Sequence, residues 1–145
     1  RQTISMNLLN TNFISLQTVT IRREPLISVG CFDIHLPRYQ DWELWLRMSS
    51  FYRFYGINKS LVEVYRSQKS ITTNLNNLTP AIKIITSKFC NFENDKEKKS
   101  YIYFRFSKLL LLNNYYYEGL KLIVKSIISS PFQFFKLIFE KIANS

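Results

Sequence analysis

Hydrophobic and polar positions along this chain change their period near the middle. Residues 13–21, FISLQTVTI, alternate, with Ile14, Leu16, Thr18 and Thr20 on one face and Phe13, Ser15, Gln17, Val19 and Ile21 on the other. That pattern, rich in β-branched residues, predicts a strand. RREPLISVG follows, where Pro25 suits the first turn of a short helix and Gly30 its stop. CFDIHLPRY then predicts a loop that Pro37 holds extended. A helix is expected from Asp41 to about Phe51. Trp42, Trp45, Leu46 and Ser49 line one side of it, and Leu44, Met48 and Phe51 another, so it should be buried. YRFYGI and SLVEVYR predict two short strands separated by Asn58 and Lys59, and SQKSITTNLNNLT a polar, Asn-rich loop able to order on binding.

From Pro80 the period becomes helical, with helices expected over about 80–91, 96–113, 115–129 and 131–143. CNFENDKEK separates the first two, Asn113 and Asn114 the next pair, and Pro131 opens the last. The fold class expected is therefore an α/β fragment, mixing strands and helices over residues 1–78, followed by an all-helical extension over 79–145.

Composition sharpens this picture. The chain has 145 residues, 46% hydrophobic and 16% aromatic, enough for a packed core. A formal net charge of +10 favours an anionic partner, whether nucleotide, phosphate, nucleic acid or lipid surface, and does not choose among them. Residues 1–78 hold seven Arg and two Lys, whereas 79–145 hold one Arg and ten Lys. Arg suits fixed, fork-like contacts to carboxylate or phosphate, and Lys on helices forms solvated faces. The first part thus reads as a site and the second as a scaffold or docking surface. Cys31 and Cys90 share no motif spacing; one disulfide is an open alternative, but they read first as two free, buried thiols, as in a reducing compartment. His35 is the only histidine, and no His/Cys cluster suggests zinc. No signal peptide is visible, and Lys interrupts the apolar runs before they are long enough to span a bilayer.

Three stretches in order, TVTIRREPLISVGCFD, LPRYQDWELWLRM and YRFYGINKSLVEVYRSQKSIT, resemble the second half of bacterial family-two inverting glycosyltransferases of GT-A fold. The resemblance covers about residues 13–74. It implies a longer enzyme that transfers a sugar with inversion from a nucleotide-sugar donor to a glycan or lipid-linked acceptor in cell-envelope polysaccharide synthesis. By that resemblance Asp41 matches the catalytic base, taking the acceptor's hydroxyl proton. Gly30, Phe32 and Asp33 match a G-x-F-D turn which, with Arg38 and Trp42, would shape the acceptor side. Arg66, Gln68 and Ser70 would lie on the phosphate or donor side. The family also implies a divalent metal, Mg or Mn, held in the whole enzyme by an Asp-x-Asp motif, with most of its ligands outside this chain. No Asp-x-Asp occurs in this sequence, and the parallel nucleotide-binding strands would have to precede Arg1. The chain therefore reads as the acceptor-side half, inactive alone, cytoplasmic or peripheral at the inner face of the bacterial membrane.

The residues also carry plainer readings. Asp41 is a good helix N-cap, a role compatible with that of a base. Glu43 suits the positive end of the helix dipole, and Arg47 could pair with a neighbouring carboxylate. Trp42 and Trp45 read as core, Asp33 as a turn former, His35 as exposed or near the acceptor, and Arg22 and Arg23 as solvated. Tyr115–Tyr117 and the aromatic residues at 132–135 read as core at helical spacing. The last helix is apolar over Phe132, Phe135, Phe139 and Ile142, with Lys136 and Lys141 beside them. It packs on the preceding helix or lies in a membrane surface. A second class of function is thus a non-catalytic basic helical module docking a membrane or protein partner. Nucleic-acid binding is disfavoured, because the Arg residues are scattered and no recognition motif is present.

Overall fold

The computed structural model describes residues 8–9, 11–65, 75–92 and 95–143. It divides into two compact units, Arg1–Asn74 and Leu75–Ser145. The first contains α1 (Arg23–Ser28) and α2 (Gln40–Phe51). The second contains α3 (Leu78–Phe92), α4 (Lys96–Leu112), α5 (Tyr116–Ser129) and α6 (Pro131–Ala143). Short 3-10 turns lie at Leu16–Thr18 and Leu75–Asn77.

Among the described residues there is no strand, so the expected α/β fragment is not what forms, and the GT-A fold implied by the resemblance is overturned. The reasons are local. In 13–21 the alternation is broken by polar side chains that bond to nearby groups. The Thr18 hydroxyl donates to the Ser15 carbonyl at 2.8 Å, and the Ser15 hydroxyl bonds to the Gln17 side chain. Such bonds offer the backbone an alternative to a ladder, and here they close the turn at Leu16–Thr18. Residues 52–65 are free of helix but make no ladder, and a lone pair of strands is marginal in water. Alternation placed side chains on two faces without supplying a partner strand.

Around α2 the first unit closes its core. Trp42, Trp45, Leu44, Leu46 and Met48 are buried together with Leu8, Leu9 and Leu36. The indole N–H groups are satisfied by backbone carbonyls, Trp42 donating to Leu8 at 2.6 Å and Trp45 to Ile14 at 3.1 Å. Each tryptophan thus buries a large apolar surface and also tethers part of the 8–14 segment to α2. Phe54 meets Trp45 edge to face, with ring centroids 6.4 Å apart. α1 ends as expected at Gly30, whose φ of 87° allows the closing bonds Gly30 N–H to Ile27 and Cys31 N–H to Leu26.

In the second unit α4 and α5 form an antiparallel pair along a seam of small residues. Ser100 lies against Ser126, with hydroxyls 2.9 Å apart, and the Ser126 hydroxyl also donates to the Ser100 carbonyl at 2.7 Å. Seven residues along each helix, a side chain on Gly119 would come within 3.3 Å of the Ser107 carbonyl and 2.8 Å of the Leu111 side chain. Small residues at these facing positions let the two backbones approach closely. The turn between the helices ends α4 at Asn114, which adopts φ 66° so that Asn114 and Tyr115 N–H groups reach the Leu111 and Leu110 carbonyls. Asp95 caps α4, its carboxylate accepting from Glu97 and Lys98 N–H. Ile102, Phe106 and Leu110 of α4 are buried, as are Leu78, Ala81, Ile82 and Ile85 of α3, with Leu122 and Phe134 from α5 and α6.

Candidate functional site

In the first unit the candidate residues gather around the start of α2. Its N-cap is not Asp41 but Tyr39, in the left-handed region at φ 66° with no side-chain capping bond. Asp41 is the second helical residue. One carboxylate oxygen accepts from the Asn12 side-chain amide at 3.2 Å and the other from the Trp42 N–H at 2.7 Å. Asp41 is half-buried, so the carboxylate is held in place while part of the residue remains accessible.

Glu43 holds the structural surprise. It is not a surface charge on the first turn, because its side chain is fully buried and forms a two-pronged pair with Arg47. Arg47 Nε and Nη2 donate to the two carboxylate oxygens at 2.7 and 2.8 Å. The same guanidinium donates to the Val29 carbonyl and, at 2.6 Å, to the Cys31 carbonyl. Arg47 therefore clamps the Gly30 turn onto α2. An acid and an arginine four residues apart inside an otherwise apolar helix was the available signal for this pair.

Between that clamp and α2 runs the 31–39 loop, bracketed by two non-glycine residues at positive φ, Cys31 at 55° and Tyr39 at 66°. Asp33 is a turn former, accepting from the His35 N–H at 2.9 Å. Phe32 and His35 are exposed. Cys31 is an exposed thiol, contrary to the expected buried one, because it sits where the loop leaves the clamp; Cys90 is a buried thiol in no disulfide. The Arg38 guanidinium lies 4.9 Å from the Tyr39 ring centroid, while its Nε and Nη1 are buried without a hydrogen-bond partner. Trp42 is core. Arg66, Gln68 and Ser70 lie outside the described residues. Among the described residues, no group of three or more His, Cys, Asp or Glu comes together to hold a metal ion.

The second unit offers a different kind of feature. α5 turns Gly119, Leu122 and Ser126 inward and leaves Tyr117, Leu120, Val124 and Ile128 exposed on the opposite side. Its inner seam is thus largely small and polar, and its outer face large and apolar. Among the described side chains of α6, Gln133 and Phe134 are buried, and the stripe Phe132, Phe135 and Phe139 faces outward, 75%, 53% and 67% exposed. The stripe therefore does not pack on the preceding helix; Phe134 turns inward instead, against Phe104 of α4, with centroids 5.5 Å apart. Tyr116 and Tyr117 are likewise exposed rather than core. Lys121, Lys125 and Lys136 are exposed beside these apolar faces. Among the described residues no single helix is long and apolar enough to cross a membrane. The pair Tyr116–Ser129 and Pro131–Phe139 meets the requirement together, bent by 117°.

Compared with protein-family models, curated proteins and solved structures, the chain finds no match.

Proposed function

We propose that the helical unit is a docking module that seats α5 and α6 on an anionic membrane surface. The single observation behind this reading is the inverted polarity of α5, with Gly119 and Ser126 inside and Leu120, Val124 and Ile128 outside. A helix designed for water hides its large apolar residues, whereas one facing lipid can present them and pack through small ones. The outward phenylalanines of α6 extend the apolar surface, and three exposed lysines supply the charge that an anionic headgroup layer attracts. Each such lysine contributes about 1 kcal/mol near an anionic surface. Sedimentation with anionic vesicles tests the reading. Leu120→Glu with Phe135→Ser should abolish co-sedimentation without loss of helix, since both positions are exposed. Lys121, Lys125 and Lys136 all changed to Gln should weaken partitioning by roughly 100-fold, from about 3 kcal/mol in total. Equal sedimentation by the parent and the Leu120→Glu, Phe135→Ser variant would remove the reading.

A second reading rests on Asp41 alone. Its carboxylate is held by Asn12 yet partly accessible, which suits a group that takes a proton from an acceptor hydroxyl during sugar transfer from a nucleotide-sugar donor by a longer enzyme. In that enzyme Asp41→Asn should abolish transfer while leaving donor binding and the tryptophan fluorescence of α2 unchanged. Retained turnover would take Asp41 out of the role.

A further inference from the structure

Residues 52–65 follow α2 with neither helix nor ladder. Its start is anchored: the Tyr52 N–H donates to the Met48 carbonyl, the Tyr52 hydroxyl lies 2.7 Å from that of Ser28, and Phe54 packs on Trp45. Beyond Phe54, Tyr55 and Tyr65 are 84% and 83% exposed, and Ile57, Leu61, Val62 and Val64 are exposed with them. Within 53–65 the Lys59 N–H donates to the Ile57 carbonyl at 2.9 Å, which bends the chain at Asn58 without closing a ladder. A row of open backbone groups carrying β-branched and aromatic side chains is a template for strand addition.

The geometry points to a second copy of this chain as the occupant, with 52–57 of one molecule pairing antiparallel with 60–65 of the other. The segment is its own complement. In the register that sets Phe54 opposite Val62, Tyr55 meets Leu61, Tyr52 meets Val64, and Arg53 meets Glu63. Opposite charges therefore face each other twice in the symmetric pair, and like charges directly opposed are avoided. Gly56 meets Ser60, and a side chain on Gly56 would have nothing within 4 Å, so both residues at the tip are small and unobstructed. Strand alternation puts Val62 and Val64 on the face of Phe54, the face already packed on Trp45. The exchange is isologous and closes at two copies.

Sedimentation equilibrium of the full chain from low to high micromolar concentration, at physiological ionic strength, tests this. The parent should dimerise reversibly. Arg53→Glu should weaken dimerisation by about tenfold or more, by opposing Glu63 with a like charge at both symmetric positions. Arg53→Glu combined with Glu63→Arg should restore the parent constant. Circular dichroism and tryptophan fluorescence should stay unchanged in both variants, because both positions are exposed. A parent that stays monomeric throughout, a dimer indifferent to Arg53→Glu, or a double variant as weak as the single one would each overturn the exchange.

Discussion

Replacing Arg47 with Met tests whether the Glu43–Arg47 clamp holds the first unit together. Glu43 is 0% exposed, and Arg47 gives its carboxylate two bonds of 2.7 and 2.8 Å. Methionine keeps much of the apolar stem but removes the charge and all four donated bonds, including those to Val29 and Cys31. Breaking a buried ion pair from one side costs about 3–5 kcal/mol, because the remaining charge stays out of water's reach. With a urea slope of about 1–1.5 kcal/mol/M for a unit this small, the midpoint should fall by about 2–5 M, enough to leave the unit near its limit. Glu43→Met together with Arg47→Met should cost less than Arg47→Met alone, since no buried carboxylate then remains. Its residual cost comes from the Val29 and Cys31 carbonyls, which lose their donor. Tryptophan fluorescence is the assay of choice. The only two tryptophans are Trp42 and Trp45, both on α2 beside the clamp. A single variant costing less than about 1 kcal/mol, or a double variant costing more than the single, would refute the reasoning.

Two further outcomes concern the helical unit. Gly119→Val should destabilise it by about 1–3 kcal/mol in thermal melts followed by circular dichroism, since the new side chain meets Leu111 at 2.8 Å and the Ser107 backbone at 3.3 Å. Ile128→Val, on the exposed side of the same helix, should stay within about 0.5 kcal/mol of the parent. Burial, and then a hydrogen bond with Cys90, push the Tyr103 phenol from 10.0 up to about 12. Between those values the unfolded chain has lost that proton while the folded chain keeps it. Stability from this group is therefore full below pH 10 and falls as pH rises toward 12. Denaturant titrations across that range should show the fall in the parent and a smaller one in Tyr103→Phe; an unchanged slope would remove the assignment.

The helices after Pro80 were legible because length, period and punctuation agreed. Pro131 opens α6, Asp95 caps α4, and the Asn pair turns the chain between α4 and α5. The girdle of apolar residues on α2 likewise announced its burial. The strands misled because alternation reports which way side chains point and not whether a partner exists. Over 13–21, Ser15, Gln17 and Thr18 could satisfy local groups instead. Asp41 has the chemistry of a cap, but the left-handed Tyr39 starts the helix two residues earlier, a backbone choice no side-chain pattern announces. At α6 the sequence contained two apolar arcs, Phe132/Phe135/Phe139 and Phe134/Ile138. Which one turns inward depends on Phe104 of α4, so periodicity alone could not decide.

The serine and glycine seam between α4 and α5 also sets how this region can change over time. On most water-soluble helices the inner face tolerates swaps among large hydrocarbons and the outer face drifts through charged and polar residues. Along α5 those rules trade places. Inside, at Gly119 and Ser126, bulk is the forbidden change, because two backbones already occupy the space. Outside, at Leu120, Val124 and Ile128, size is free to vary, and under the membrane reading an acquired acid is the change that selection would remove.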